Sequence, residues 1–495
     1  MYLPSLLSLL TLNAPLLGYL PSVAGQVLRE DAPIFIEAGF ENATATDTTY
    51  NTGGTITVGG FTMQIPKNLL VQFPAAWVPW KDFVADHSSF LGFETLVLGN
   101  TVLGVPLVGQ VIMTEFFEGV SSGHIASVNY TDGSLQIENG PLVRISDPNG
   151  VFSVGYAGAP FMTADDQNPS ITAFSGFPMC IPRNASDPLC PLSNRPSAAP
   201  TSFTAPDPLV MAPFLPGDFI TINGFRPRNA PSEVIAYAIV AENVQILTPP
   251  SVIYIRTELA LLGISSPNPA SEVASSRFKG FTSHPAATVT LSAIDIDPCT
   301  GTTSDRMISS FTLRGGRNFQ NKWEYRNEIF SGYTREYRAT VELNGVPLLR
   351  RTKNGLMAGT YVSPVNVWVP AELEIPGMAP VVHEFAGMGW LSRGVGRDAE
   401  GRMWGALEPF PQSGVSLEEV VCEEVEVGVK RRAGLRKRRT FGSRVAEIEV
   451  QAQADAEPAT VVVAPEEEAE IQEQEELEEV KVLEELELEL ELESV

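Results

Sequence analysis

Tyr337-Arg338-Ala339-Thr340-Val341-Glu342-Leu343 decides the fold class. Its odd positions are apolar or aromatic and its even positions are polar. A strand with that period buries one face and wets the other. Asn344-Gly345 follows as a turn signal. Outward from it, Thr288-Val289-Thr290-Leu291-Ser292-Ala293-Ile294 and Phe311-Thr312-Leu313 alternate in the same way, and Val365-Asn366-Val367-Trp368-Val369 closes the region. Strands of this length and spacing predict a β-sandwich of the immunoglobulin-like class over 263–415, with an irregular Gly-, Met- and Pro-rich extension from Pro370.

The same pattern runs towards the N-terminus. Thr55-Ile56-Thr57-Val58 and Phe61-Thr62-Met63-Gln64-Ile65 flank Gly59-Gly60, a hairpin signal. His124–Val128, Ser134–Ile137 and Leu142–Ile145 are separated by Asp132-Gly133 and closed by Asn149-Gly150. These strands predict a first β domain over 26–150. A Pro- and Ser-rich connection over 151–210 precedes a second β domain over 211–262, entered at Leu215-Pro216-Gly217-Asp218. The rhythm of the two domains is that of small OB-like or open β-barrels. The expected fold is therefore all-β: two such barrels followed by a β-sandwich-like domain. The 41 glycines and 39 prolines suit many short strands and disfavour long helices.

Residues 1–25 read as a signal peptide. An apolar run from Leu6 to Leu20 leads to the small residues Ser22-Val23-Ala24-Gly25. Pro15 and Asn13 interrupt the run and oppose a spanning helix, so the mature chain is expected to have no transmembrane segment. Export would admit N-glycosylation at Asn42, Asn129 and Asn184, each in an Asn-x-Ser/Thr triplet. It would also admit disulfides among Cys180, Cys190, Cys299 and Cys422. Cys180 and Cys190 flank a short loop with two prolines, and a bridge there is expected to contribute ~2–3 kcal/mol. Spacing gives no pairing for Cys299 and Cys422.

The formal net charge of −26 lies mostly in the last fifty residues. A mildly acidic body opposes nucleic acid as a partner, because phosphates need a basic face. From Ser416 the composition shifts. A basic cluster, Lys430-Arg431-Arg432 and Arg436-Lys437-Arg438-Arg439, precedes a Glu-rich segment. The alternating Leu-Glu run from Leu486 to Leu492 places Leu on all sides of a helix, so 416–495 is expected to be a disordered or partly helical acidic tail. Arg432 and Arg439 end dibasic pairs, the signature of a precursor cut in the secretory pathway. The same residues read first as a solvated linker whose positive charge balances the acidic run.

No motif supplies catalysis. His383-Glu384 lacks the second histidine of a zinc-protease helix, and no Gly-x-Ser-x-Gly elbow, phosphate loop or dinucleotide fingerprint occurs. No catalytic residue, metal or cofactor is assigned. Asp295 and Asp297 alternate beside a turn but lack the further acids of a calcium loop. Asp82 and Asp86 near Trp77 and Trp80 are acids whose separation across a cleft the sequence does not give. The aromatic pairs Trp77/Trp80 and Trp323/Tyr325 are candidate platforms for stacking a ligand; the competing reading packs them into the core.

With the leader, Phe177-Pro178-Met179-Cys180, Lys322-Trp323-Glu324-Tyr325-Arg326 and Tyr333-Thr334-Arg335-Glu336-Tyr337-Arg338, the body resembles secreted proteins of filamentous fungi that carry no known activity. The resemblance implies export. Together these features predict a secreted, non-catalytic protein of the cell surface or wall that binds glycan or an extracellular protein. The alternatives are an exported polysaccharide hydrolase with a concealed carboxylate pair, and a precursor processed at the dibasic sites.

Overall fold

The computed structural model of the chain describes residues 31–114, 121–196, 202–228, 230, 232–263, 276–313, 321–327, 333–343, 345–369 and 381–422. The leader, Arg432, Arg439 and the acidic tail lie outside these residues. The described chain is nearly all β, with two closed five-stranded barrels and further sheets.

The first barrel is built from β1 (Ala32–Ala45), β2 (Gly54–Val58), β3 (Phe61–Ile65), β6 (Glu94–Val102) and β7 (Val105–Met113). Between them lie the hairpin β4 (Leu70–Phe73) and β5 (Ala76–Pro79) and the short helix α1 (Trp80–Ala85). The pairing runs β3-β2-β1-β6-β7, and a parallel contact of Gln64 with Leu107 closes β3 onto β7. That closure removes the open edges a five-stranded sheet would otherwise present. The Gly59-Gly60 turn forms as expected, with both glycines at positive φ and Val58 opposite Phe61. A two-residue hairpin loop needs that conformation to match strand twist. Inside, α1 plugs the barrel: Phe83 lies 5.3 Å from Phe40 and 5.5 Å from Phe90, and all three rings are buried.

The second barrel repeats the plan. Its strands are β8 (Ser121–Asn129), β9 (Ser134–Ile137), β10 (Leu142–Ile145), Phe219–Phe225 and Glu233–Ala241. The order is again third-second-first-fourth-fifth, with β10 parallel to Glu233–Ala241 closing the ring. Both barrels thus have the OB-like connectivity. The strand pairing shifts the expected boundaries. β8, β9 and β10 belong with the second barrel rather than the first. The segment expected as a connection over 151–210 is inserted between that barrel's third and fourth strands. It is not a linker: Phe152, Phe177, Met179 and Ile181 are fully buried with the second core.

The third part is a sandwich. One sheet runs Lys322–Asn327, Ser276–Thr282, Ile255–Gly263, Val367–Val369. The facing sheet runs Thr303–Thr312, Thr288–Ile296, Glu336–Leu343, with Thr360–Pro364 also on the last strand. Ile255–Gly263, expected to end the second barrel, starts this domain instead. Tyr337, Ala339 and Val341 point inward as their alternation predicts, and the Tyr337 ring sits 4.7 Å from Phe278 of the opposite sheet.

Residues 381–422 do not trail from the sandwich. They wrap the first barrel, where Phe385, Leu391, Leu407 and Phe410 join its core cluster. Gly109 permits this, because a Cβ there would meet the Phe385 ring at 2.6 Å. Two disulfides staple the assembly: Cys180–Cys190, as expected, and Cys299–Cys422, which ties the Thr288–Thr312 hairpin to the C-terminal segment.

Candidate functional site

The three sequon asparagines are exposed. Asn42 lies on β1, opposite Thr57. Asn129 ends β8 and Asn184 lies in a loop; in each, the side-chain oxygen accepts the backbone N–H two residues on, from Thr131 and Ser186 at 2.9 Å. Asn184 is carried on the Cys180–Cys190 loop.

The aromatic platforms fare differently. Trp80 is buried at the start of α1 and donates to the Thr44 carbonyl at 3.0 Å. Trp323 occupies an inward position on its strand and is 1% exposed. Neither offers a face to solvent, because strand parity and the barrel plug claim both rings for the core. Tyr325 is partly buried and packs against the same core. Its hydroxyl accepts from Asn327 Nδ2 at 3.1 Å. Trp77 is partly exposed and lies in a charged environment. Its indole N–H donates to Glu336 Oε1 at 3.2 Å, and the Arg335 guanidinium lies over its ring at 4.8 Å.

The expected acids are otherwise engaged or isolated. Asp82 and Asp86 are exposed on the outside of the first barrel. Asp295 is held by both Nε and Nη2 of Arg306. Asp297 accepts the N–H groups of Cys299 and Thr300, which lower its pKa. Buried Asp147 accepts three successive backbone N–H groups, from Val151, Phe152 and Ser153. Burial still outweighs them and raises its pKa. Asp398 is clamped by Arg402 and the Trp404 indole; burial opposes these bonds, yet they hold its carboxyl below the usual range. Asp147, Asp297 and Asp398 thus secure turns, and Asp295 a cross-strand ion pair.

Trp77 and the Arg335–Glu336 pair stand between two small hollows at the junction of the parts. The first is a crevice between the first barrel and the start of Glu336–Leu343, lined by Gln72, Trp77, Gln110, Arg335, Trp390 and Leu407 among others. Gln72 donates across it to the Val365 carbonyl at 3.3 Å. Its cavity volume is about 20 Å³. Arg335 gives Nε to Glu336 Oε2 at 3.2 Å, while its Nη1 is buried without a partner. Gln110 turns Nε2 towards Met388 Sδ at 3.7 Å, and its Oε1 is likewise buried and unpartnered.

The second hollow, of about 30 Å³, lies where the first barrel, the insertion of the second and the sandwich meet. Trp77, Asp165, Asn168 and Glu336 line it. Burial pushes the Asp165 carboxyl up to about 6, against three hydrogen bonds from Gln167 and Asn168 that favour its charged form. Two carboxylates therefore share one hollow. Its volume accommodates one or two waters rather than a sugar ring.

No motif singles out Gln110, Trp390 or Asp165, and Arg335 stands only within the Tyr333–Arg338 stretch that carries the resemblance. Gln110 carried a signal, since a glutamine in the apolar run Val105-Pro106-Leu107-Val108-Gly109-Gln110-Val111-Ile112-Met113 must be buried for a reason. Trp390 and Asp165 carried none, because their neighbours come from distant segments.

No protein-family model matches the chain, and no curated protein matches it.

Proposed function

We propose that the protein is a secreted, non-catalytic binding protein of the cell surface or wall, N-glycosylated at Asn42, Asn129 and Asn184, that recognises glycan in preference to a protein partner. The observation that carries export is that all four cysteines are paired in disulfides. Such pairing persists in oxidising compartments and is rare in the cytosol. Exposure of all three sequons and the resemblance to secreted fungal proteins support the same reading. Among the described residues no helix is long and apolar enough to cross a membrane.

Binding in preference to hydrolysis is supported by how the acids are used. Asp147, Asp295, Asp297 and Asp398 are spent on turns and ion pairs, and Asp165 shares with Glu336 a hollow of about 30 Å³. A polysaccharide hydrolase needs room for a sugar ring between its two carboxyl groups. The test uses protein collected from the medium. Its mass should fall on treatment with an N-glycan amidase, and it should sediment with purified cell walls. Retention in the cytosol, or unglycosylated material that leaves walls untouched, defeats the proposal. Release of reducing ends from wall polysaccharide would favour the hydrolase.

A further inference from the structure

Two residues that line one crevice each carry a buried polar atom without a hydrogen-bond partner. Arg335 Nη1 is a donor and Gln110 Oε1 an acceptor, and both residues are 8% exposed. Each orphan costs about 1–3 kcal/mol in a folded protein. Strands that pack this tightly elsewhere could have placed Leu or Met at either position. The two come from different parts of the fold, Gln110 from β7 and Arg335 from the approach to Glu336–Leu343, so local chain geometry does not force them together.

The chemistry of a group that would satisfy both is narrow. It must accept a hydrogen bond from the guanidinium and donate one to the amide oxygen. A hydroxyl does both. A carboxylate would satisfy Arg335 but oppose Gln110 Oε1 and the nearby Glu336. An ammonium would meet the Arg335 charge. The cavity of about 20 Å³ admits one such group and no more. Above it, the rim is apolar. The Trp77 face is already covered by Arg335, which leaves Trp390 to receive a ring. Trp390 is partly exposed and braced by Trp368, with ring centroids 5.9 Å apart.

We infer that this crevice binds a neutral saccharide, with one sugar hydroxyl seated between Arg335 and Gln110 and the ring against Trp390. The inference rests on the glycan-binding reading and gives it a site.

The experiment titrates the intact secreted protein with neutral oligosaccharides (β-glucan, chitin and mannan fragments) and follows tryptophan emission. Gln110→Leu and Trp390→Ala are compared with the parent chain. One of these sugars should quench or shift the emission saturably. Gln110→Leu should weaken that binding about tenfold, the worth of one hydrogen bond, while its thermal midpoint holds or rises because a buried orphan acceptor is gone. A merely structural glutamine would lower the midpoint and leave the affinity alone. If Gln110→Leu does not fold, Trp390→Ala at the rim carries the test. Equal affinity in the parent chain and the folded variants overturns the site and leaves glycan binding standing elsewhere, the crevice then holding water only. If no oligosaccharide binds the parent chain, site and glycan reading fall together.

Discussion

Asp165 shows what a single residue contributes at the junction. Desolvation raises its pKa from 3.8 to about 6, so the folded chain holds this proton more tightly than the unfolded chain does. Tyr361 and Asp166 face it, and Tyr361 is itself pushed up, chiefly by burial and then by Asp165. A raised carboxyl favours folding as the medium becomes more acid. Above about pH 6 the charged form is buried at a cost; as pH falls towards 4 that cost is relieved, by on the order of 2 kcal/mol. Urea unfolding at pH 7.5 and pH 4.5 should show this gain in the parent chain, superimposed on the other titrations. Asp165→Asn should remove that component, so the two proteins should differ in their pH dependence between 4 and 6. Parallel stability curves would mean that Asp165 is hydrated and titrates normally. No neighbour in sequence announces such a group. Its environment is assembled from Trp77, Glu336 and Tyr361, which lie far apart along the chain.

At the scale of elements, the strands were legible and their partners were not. Period-two alternation marks Tyr337–Leu343 because one side of every strand in a two-layer domain meets the core. Gly59-Gly60 and Asp132-Gly133 mark hairpins because only such residues take positive φ cheaply. Closure of each barrel, however, rests on a parallel contact between the third and fifth strands, and a parallel pairing leaves no turn to read. Trp80 and Trp323 illustrate the same limit: composition gives an aromatic, while the face it occupies is set by the partner strand or helix. The disulfides separate local from global information in the same way. Cys180–Cys190 spans 10 residues and was readable from its loop; Cys299–Cys422 spans 123 and was not. In the chain-entropy picture the short loop contributes about 3 kcal/mol and the long one about 5. Replacing Cys299 and Cys422 together by Ser should therefore lower the denaturant midpoint more than replacing Cys180 and Cys190. The reverse order would show that the Cys180–Cys190 loop supports the packing of the insertion beyond its entropic share.

For the whole molecule, the composition-based division into consecutive domains misses how the chain returns. The Pro- and Ser-rich stretch predicts a connection because it lacks strand periodicity, yet its Phe152 and Phe177 help fill the second core. The irregular segment after the sandwich likewise lacks periodicity, yet it covers the first barrel. Burial by irregular backbone leaves no regular spacing to detect; it requires only well-placed large side chains, here Phe385, Leu391, Leu407 and Phe410. The first barrel is thus completed by residues about 300 positions downstream of its last strands, as in the hydrogen bond from Asn100 Nδ2 to the His383 carbonyl at 3.0 Å. This dependence makes truncation informative. A chain ending at residue 380 loses four core side chains, one wall of the Trp77 crevice and the partner of Cys299. Removing a single buried Phe or Leu costs about 2–5 kcal/mol, and the marginal stability of a domain is of the same order as a few such losses. That truncation should leave the first barrel expanded, bind a hydrophobic dye and lose near-ultraviolet dichroism. A chain ending after Cys422 keeps both bridges and the whole described core, and its melting temperature should stay within about 2 °C of the full chain, the width of a sub-kilocalorie change. A cooperative, native-like melt from the shorter chain would show that the barrel closes on β1, β2, β3, β6 and β7 alone, and that the returning segment decorates a core already complete.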